Sequence, residues 1–480
     1  MPETRSRRAA AARAHLTIPT RLLRGAGWLA VAALSGCAIY HAKPLKPAPA
    51  ASMANTLSMP VDQMPVPALR KHAFDPSDGL DVTETAMLAV ANNPQLAVMR
   101  DELGIARAQA FAAGLLPDPQ LSGSKDLNVS KGPGLGPGYS LGLGFDIGSL
   151  LTRSSRVASA RASQRQVHLQ LLWAEWQTIA RARLLFDQVQ SLRWQKRRLL
   201  DEYNTLEQFQ GLVHAAMKEG NLDYATANSG LNAVANVRNL LGNARRRCTQ
   251  AEQELRTLLG LAPDAPLYLV GDPWQPRPSS EELQQADQHL ARRRPDLLAL
   301  KTGYEAQQAN VRAAILGQFP DIQIGFTRSS DTSHVTSNTL GVSLNLPLFN
   351  ANRGQIAVAR ATRQALADDY RARLLATRND MQRLKAQMDS LDSQIADARQ
   401  HARRLDKTAL DATHSWNGGD LDWPTWLSVR ASALDADLVL SDLEQERASV
   451  SIALETLLGG DWSDQDAAHP TLSSTSEPNP

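Results

Sequence analysis

The sequence predicts a mainly α-helical protein with a smaller β part, built from one helix-strand-strand-helix-helix unit that occurs twice. Three observations predict this fold class. Short motifs recur about 200 residues apart, which indicates an internal duplication. Paired segments in each copy alternate apolar and polar residues with the period of a strand. The segments between them repeat apolar residues at helical spacing over unusual lengths.

The composition of the 480-residue chain narrows the functions open to it. The formal net charge is +2, aromatic residues make up 5%, and no basic block interleaved with aromatic residues follows the N-terminal leader, so we expect no nucleic-acid partner. Cys37 and Cys248 are the two cysteines, which excludes a disulfide framework, and the ten histidines are scattered. We therefore expect no metal site and no cofactor.

The N-terminus has the order of a secretory signal peptide, which we place at residues 1–36. Several arginines precede a short apolar run at residues 25–33. The tetrapeptide Leu-Ser-Gly-Cys that follows, ending at Cys37, resembles the lipobox of bacterial lipoproteins, in which the cysteine thiol carries the lipid. The alternative is an ordinary secretory signal with an incidental cysteine, and the position of Cys37 directly after the apolar run argues against it. Ala38 as the second mature residue implies the outer membrane, by the rule for lipoproteins.

Two sets of motifs carry the duplication. Pro94 and Pro119 recur as Pro295 and Pro320, each 201 residues later, and the segment 220–224 recurs 199 residues later. The chain is accordingly divided into a proline-rich, lipid-anchored tether at 37–79, a first repeat at 80–261, a connector at 262–283, a second repeat at 284–460 and a flexible tail at 461–480.

Four strands are predicted from period-two alternation, at about 119–130, 138–147, 320–328 and 339–347. Apolar residues such as Leu141 and Leu143 occupy one face of the second strand, and Lys125 interrupts that face in the first. The opposite face is polar, and we expect it to line a water-filled interior. The residues expected there are Ser140, Asp146, Gln323, Thr327, Ser343 and Asn345.

The helices are predicted to form two columns of equal length in each repeat. A single helix is expected over residues 81–116, a very long one over 150–218 and a returning one over 222–260, with lengths of about 54, 104 and 58 Å. The first and third, stacked end to end, match the second. In the returning helix, apolar residues recur at alternating steps of three and four, which predicts a buried seam that includes Cys248. The same seam occurs 199 residues later in the second repeat, where Arg447 is its one polar member.

A four-stranded sheet with one apolar face leaves two open edges, which lipid does not tolerate. Closure therefore needs further chains. Two, three or four copies would give eight, twelve or sixteen strands, and the strand count does not choose among them.

The lipobox, the tether, the duplicated unit and the glycine-bearing turns together resemble the TolC-like outer membrane factors, in particular their lipoprotein branch. The resemblance covers residues 37–460. It implies a homotrimer, in which a twelve-stranded β-barrel in the outer membrane continues into a twelve-helix periplasmic α-barrel. It further implies a passive exit duct, and no enzyme, for drugs, other toxic compounds or metal ions. A periplasmic adaptor and an inner-membrane pump of the RND type are the implied partners, with outer-membrane lipid around the barrel.

In that family the glycine-bearing turns are periplasmic tips that contact the adaptor. The resemblance assigns this contact to Gly220, Leu222, Asp223, Gly419, Leu421 and Asp422. Ser229 and Ser428 occupy the positions at which family members often carry a gating aspartate, so the carboxylate gate does not carry over. Asp223 and Asp422 are either an acidic mouth or caps of the returning helices, and both interpretations stay open.

Other chemistries fit the sequence less well. Residues 138–142 match the GxSxG string of hydrolases, but Ser140 belongs to an alternating strand instead of a strand-to-helix turn. Two alternatives to the efflux duct remain: an exit duct for type I protein secretion, and a periplasmic coiled-coil scaffold lipoprotein that forms no channel. The solute, the pump and the adaptor are not identified by the sequence.

Overall fold

The computed structural model describes residues 40–45, 59, 61, 64, 66–127, 129, 134, 136–220, 223–274, 276 and 278–459. The chain divides into two units, Met1–Pro49 and Ala50–Pro480. In the first unit the described residues 40–45 are exposed and form neither helix nor strand. The predicted signal peptide, Cys37 and the tail at 461–480 lie outside the described residues.

The second unit contains the duplicated arrangement of helices and strands. The first copy consists, after the short helix α1 (Pro67–Arg70), of α2 (Val82–Asn92), α3 (Pro94–Gly114), β1 (Gln120–Asp126), β2 (Gly138–Asp146), α4 (Gly148–Lys218) and α5 (Tyr224–Leu258). The second copy consists of α6 (Ser280–Arg293), α7 (Pro295–Leu316), β3 (Asp321–Ser330), β4 (Thr336–Asn345), α8 (Arg353–Gly418) and α9 (Trp423–Leu458). The predicted fold class is confirmed.

The prediction of a single helix over residues 81–116 is wrong, because the helix breaks at Asn93. Asn93 has an extended backbone, with ψ at 122°, since the ring of Pro94 disfavours the helical conformation of the residue before it. Its side chain instead caps α3 by accepting hydrogen bonds from the N–H groups of Gln95 and Leu96. The second repeat also breaks before a proline, at Arg294, whose backbone is extended but whose side chain does not cap the next helix.

The segment expected to be a free tether contributes to the core at its C-terminal end. Met64, Val66 and Leu69 are buried in one cluster with residues of α2, α4 and α5. Leu80 forms an isolated parallel bridge with Leu269 of the connector. An extended tether therefore does not describe the whole of 37–79, because apolar side chains are stabilised by burial wherever a partner surface exists.

The strands form one antiparallel sheet in the order β1-β2-β3-β4. β1 ends at Asp126, opposite Gly138, and is shorter than the expected 119–130. β4 starts at Thr336, opposite Ser330, a few residues before the expected start. The pairing of β2 with β3 joins the strands of the two repeats into a single sheet.

The helices pack lengthwise beside one another. α4 has 71 residues, about 106 Å of helix, and it packs against α3, α5 and α7, while α8 packs against α9. The predicted seam of α5 is buried from Val237 to Leu255. It includes Cys248, whose thiol has a raised pKa, chiefly because of burial. Among the described residues, no helix combines the length and apolarity needed to cross a membrane.

Candidate channel faces and helix tips

The polar face of the sheet brings the six predicted interior residues together. Directly paired residues of antiparallel strands share a face. Asp146 pairs with Gln323, and Gln323 pairs with Ser343, so these three form one row across β2, β3 and β4. Thr327 and Ser140 lie in the rows nearer the hairpin loops, and Asn345 lies at the end nearer the helices.

Sequence reasoning missed several members of this face. Asp321 pairs directly with Asn345, and Ser329 pairs with both Ser140 and Ser337. The Oγ atoms of Ser329 and Ser337 lie 3.0 Å apart, within hydrogen-bonding distance. Alternation was the available signal, because Asp321 and Ser329 each stand two residues from a predicted member.

The middle of the polar face is built from small residues. Gly144 pairs with Gly325, which pairs with Gly341, so in this row only Gln120 of β1 carries a side chain. In the next row, a Cβ added to Gly142 would lie 2.6 Å from the Oγ of Ser122, so a larger residue there would require that hydroxyl to move. The face is therefore shallow and hydroxyl-rich at its centre.

The opposite face is apolar and uncovered in the single chain. Leu143 pairs with Leu121 and Phe326, and Phe326 pairs with Leu340. Each of these four side chains is at least half exposed, at 53% for Leu143 and 74% for Leu340. An apolar band of this size on a folded chain indicates contact with lipid or with another protein.

Each of the two turns between long helices is followed by a helix whose first residues are capped by an aspartate. Asp223 Oδ1 accepts the backbone N–H of Thr226 at 2.7 Å, and Asp422 Oδ1 accepts that of Thr425 at 2.7 Å. The capping interpretation of both aspartates is confirmed. Hydrogen bonds from the side chain and backbone of Thr226 lower the pKa of Asp223, and those from Thr425 do the same for Asp422. Both carboxylates are exposed and ionised.

The remaining predicted tip residues differ in their surroundings. Gly220 and Gly419 have φ values of +76° and +83°, which is the left-handed conformation that ends a helix at glycine. No atom lies within 4 Å of a Cβ built on either one, so backbone conformation alone requires glycine there. Leu222 lies outside the described residues. Leu421 is half-buried and packs against an apolar cluster behind the second tip.

Four aromatic rings of that cluster lie in contact with one another, and this arrangement was not predicted. Phe209 lies in α4, and the other rings are Trp416, Trp423 and Trp426. The centroids of Trp423 and Trp426 are 4.9 Å apart in a stacked arrangement, and Phe209 meets Trp416 edge-on at 4.6 Å. We call these four residues the aromatic cluster. Its signal in the sequence was three tryptophans within residues 416–426.

The aromatic cluster makes the two tips unequal. Trp423 is buried against Gly230 of α5, where an added Cβ would lie 3.1 Å from the indole Nε1. Its counterpart in the first repeat, Tyr224, is 83% exposed. The second tip is thus anchored to the first repeat through its tryptophans, while the first tip presents its aromatic residue to solvent.

Ion pairs continue this contact between repeats along α4 and α9. Arg430 pairs with Glu202, which is buried, and Arg198 pairs with Asp437 at 2.9 Å. The Nη1 of Arg198 also lies 3.6 Å from Glu202. Within the part of the chain that the structure describes, no group of three or more His, Cys, Asp or Glu side chains is placed to hold a metal ion.

Comparison with known proteins finds relatives that resemble this chain over most of its length. The family model described as outer membrane efflux protein matches residues 287–460. The cation efflux system protein CusC of Escherichia coli O6:H1 is 24% identical over 404 residues, which cover 78% of this chain and 85% of that protein. The probable outer membrane lipoprotein SilC of Salmonella typhimurium is 22% identical over 78% of this chain and 84% of its own length.

Solved structures share the fold. A crystal structure of CusC covers 83% of this chain and 97% of its own, with a TM-score of 0.67 and 20% identity. The outer membrane channel CmeC of Campylobacter jejuni covers 80% of this chain and 86% of its own, with a TM-score of 0.68 and 14% identity. These structures therefore show the fold of the chain, and the model of the outer membrane efflux protein family is matched over the second repeat, residues 287–460.

Proposed function

We propose that three copies of this chain form the passive outer-membrane exit duct of a tripartite efflux system, carrying small molecules from the periplasm to the exterior. The observation that carries this proposal is the four-stranded sheet. One of its faces is an uncovered apolar band, the other is polar and rich in small residues, and its outer strands β1 and β4 have unpaired edges in the single chain.

Closure of the sheet accounts for all three features at once. Joining β1 of one copy to β4 of the next removes the open edges, which lipid does not tolerate. The apolar band then contacts lipid, and the polar face with Ser140, Gln323 and Thr327 lines an aqueous interior. Twelve strands from three copies leave room for such an interior, whereas the smallest barrels of eight strands are filled by their own side chains.

The helices extend the duct into the periplasm, where a periplasmic adaptor and an inner-membrane pump complete the system. We assign the adaptor contact to the two tips around Gly220 and Gly419, with the carboxylates of Asp223 and Asp422 exposed beside them. A pump of the RND type, and a lipid on Cys37, are the finer parts of this proposal. Drugs, other toxic compounds or metal ions are the proposed solutes; the similar protein CusC is named as a cation efflux component.

The decisive experiment compares the same charge on the two faces of β2. Leu143→Arg places a guanidinium on the apolar band. An arginine facing lipid at the bilayer centre destabilises a barrel by about 2–4 kcal/mol, so we expect few heat-modifiable trimers of this variant in outer membranes. Ser140→Arg places it on the polar face, and we expect normal trimers whose cation conductance in planar bilayers is reduced. Single chains without conductance in the wild type would instead favour a coiled-coil scaffold, and equal trimer yields in the two variants would refute the assignment of faces.

Adaptor contact is tested separately at the tips. A photo-crosslinker at Asp422 should capture the adaptor in intact cells, whereas one at the exposed Arg353, at the opposite end of α8, should not. Capture of a protein-secretion adaptor in place of an efflux adaptor would favour the secretion duct.

A further inference from the structure

We propose that the apolar band of the sheet ends, on the side of the hairpin loops, in a binding site for the phosphates of an outer-leaflet glycolipid such as lipid A. The site consists of Lys125 and Arg328 on either side of Tyr139. This inference rests on the proposed function, because that function places the sheet in the outer membrane with its loops outward.

The strand register shows where the apolar band stops. The row of Leu121, Leu143, Phe326 and Leu340 is entirely apolar. In the next row towards the loops, Leu141 pairs with Arg328, which pairs in turn with Asn338. In the row after that, Tyr139 pairs with Lys125 and with Ser330. The face therefore changes from apolar to cationic and polar within two rows.

The other end of the same face shows no such change. Ile322 pairs with Leu344, and the backbone N–H of Ile147 donates to the carbonyl of Ile322. These side chains keep the face apolar up to the start of α4. Both cations of the face thus lie at one boundary, the boundary farther from the helices.

The two cations are not neutralised by the protein. Neither Lys125 nor Arg328 makes a side-chain ion pair or hydrogen bond with the residues that the structure describes, and both are exposed. The carboxylate of Asp126 lies on the opposite face by strand alternation. Asp331 instead accepts hydrogen bonds from the N–H groups of Ser333 and Val335. An anion from outside the chain is therefore the available partner.

The geometry fits a headgroup that carries two phosphates. Lys125 and Arg328 are two strands and one row apart, roughly 12 Å between their Cα atoms, and both have long side chains that extend towards an interface. The planar guanidinium of Arg328 binds a phosphate through two parallel N–H donors, and the ammonium of Lys125 acts as a compact point charge. Tyr139 between them has the ring and hydroxyl that barrels place at the lipid–water boundary.

The direction of the hairpins determines in which leaflet of the membrane the two cations lie. The strands enter α4 and α8 at the end with Ile147 and Asn345, and the proposed function puts those helices in the periplasm. The cationic boundary then lies in the outer leaflet. Phosphorylated glucosamine headgroups are the characteristic anions of that leaflet, while glycerophospholipids occupy the inner one.

The test measures lipid retained by delipidated trimers that have been re-exposed to defined vesicles. Trimers would be incubated with lipid A or with phosphatidylglycerol and examined by native mass spectrometry. We expect wild type to retain lipid A in preference to phosphatidylglycerol, and Lys125→Gln/Arg328→Gln to retain at least tenfold less lipid A. Arg328→Lys, which keeps the charge but not the paired donors, should fall between them.

The matched control is Arg353→Gln. Arg353 is an exposed arginine at the start of α8, at the helical end of the sheet, and its loss should leave retention at the wild-type level. Unchanged retention in the double variant would overturn the site. Equal retention of both lipids by the wild type would also overturn it, because the site would then be one for any anionic lipid.

Conductance of the same preparations separates the two proposals. If wild-type and double-variant trimers conduct equally and retain equal amounts of lipid A, the lipid site is refuted and the channel stands. If the wild type neither forms trimers nor conducts, the channel is refuted, and the lipid site is refuted with it.

Discussion

Arg430 and Glu202 form a forked ion pair that joins the two repeats behind their tips, across 228 residues of sequence. The Nε of Arg430 donates to Oε1 of Glu202 at 2.9 Å, and its Nη2 donates to Oε2. The guanidinium also lies over the ring of Trp426, 5.1 Å from its centroid. One side chain thereby connects α4, α9 and the aromatic cluster.

Arg430→Met should lower the free energy of unfolding by about 3 kcal/mol, because it leaves the buried carboxylate of Glu202 without its main partner. Chemical denaturation of the purified protein measures this. The double variant Glu202→Gln/Arg430→Met should lose less, since no buried charge remains. The control is Arg371→Gln, which breaks an exposed pair with Asp368 and should change stability by less than about 1 kcal/mol. The pairing would be contradicted if the double variant lost as much stability as Arg430→Met and Glu202→Gln lose when their separate losses are added.

Trp426→Ala should destabilise the second tip by about 3–5 kcal/mol, the usual cost of emptying a buried tryptophan site. Trp426 is fully buried, and its indole N–H donates to Thr413 Oγ1 at 3.1 Å. Hydrogen exchange should show faster exchange in the amides around residues 416–426, with the middle of α4 unchanged. Trp194, which is 39% exposed, supplies the control, and Trp194→Ala should leave the tips protected. Protection of the tip in Trp426→Ala would count against a stabilising role of the cluster.

Asp187→Asn should stabilise the protein at pH 8 and hardly change it below about pH 4. Burial in α4 raises the pKa of Asp187 from 3.8 to about 7, against opposing contributions from the Trp274 N–H and Arg183. The folded state therefore holds this proton more tightly than the unfolded state. Stability attributable to Asp187 is fully present below about pH 4 and is lost as the pH rises to about 7, because the unfolded state releases this proton at a lower pH than the folded state does.

Asparagine at position 187 removes the charge and keeps the Oδ1 atom, which accepts a hydrogen bond from the backbone N–H of Trp274 at 3.1 Å. Thermal midpoints measured from pH 4 to pH 8 check the prediction, and the wild type should lose roughly 2–4 kcal/mol more than the variant over that range. Parallel pH profiles for the two proteins would show that the carboxyl of Asp187 titrates normally.

Cys37→Ser should abolish lipid attachment. The mature N-terminal peptide of the wild type should carry the mass of acyl chains, and each buried methylene contributes about 0.8 kcal/mol of membrane affinity. The variant peptide should lack that mass and should partition into the aqueous phase of a detergent extraction. Retention of the acyl mass in the variant would disprove the anchor at this position. Cys248→Ser, a core substitution, should leave the acyl mass in place.

Much of the candidate channel follows from strand alternation. Side chains alternate between faces along a strand, so Ser140 and Thr327 were assigned to the polar face, and Leu143 to the apolar face, without knowledge of the pairing. The row of Asp321 and Asn345, and the cationic boundary at Arg328, depend on register between β3 and its neighbours. Register is set by pairing partners far apart in the sequence, which period two does not specify.

The features of the helices that could be predicted from the sequence are those that depend on neighbouring residues. Helical periodicity predicted the length of α4 and the buried seam around Cys248, since both depend on spacing within one helix. The break at Asn93 also has a local cause, because Pro94 restricts the conformation of the residue before it. The helical pattern on both sides of Pro94 nevertheless led to the prediction of a single helix.

By itself, then, the sequence determined the duplication, the two faces of the strands and the lengths of the long helices. Each of these follows from residues a few positions apart, or from the comparison of one half of the chain with the other. Only the tertiary structure decided that Phe209 meets Trp416, that Glu202 binds Arg430 and that β2 pairs with β3. Those contacts join residues separated by well over a hundred positions, and packing between whole elements selects them.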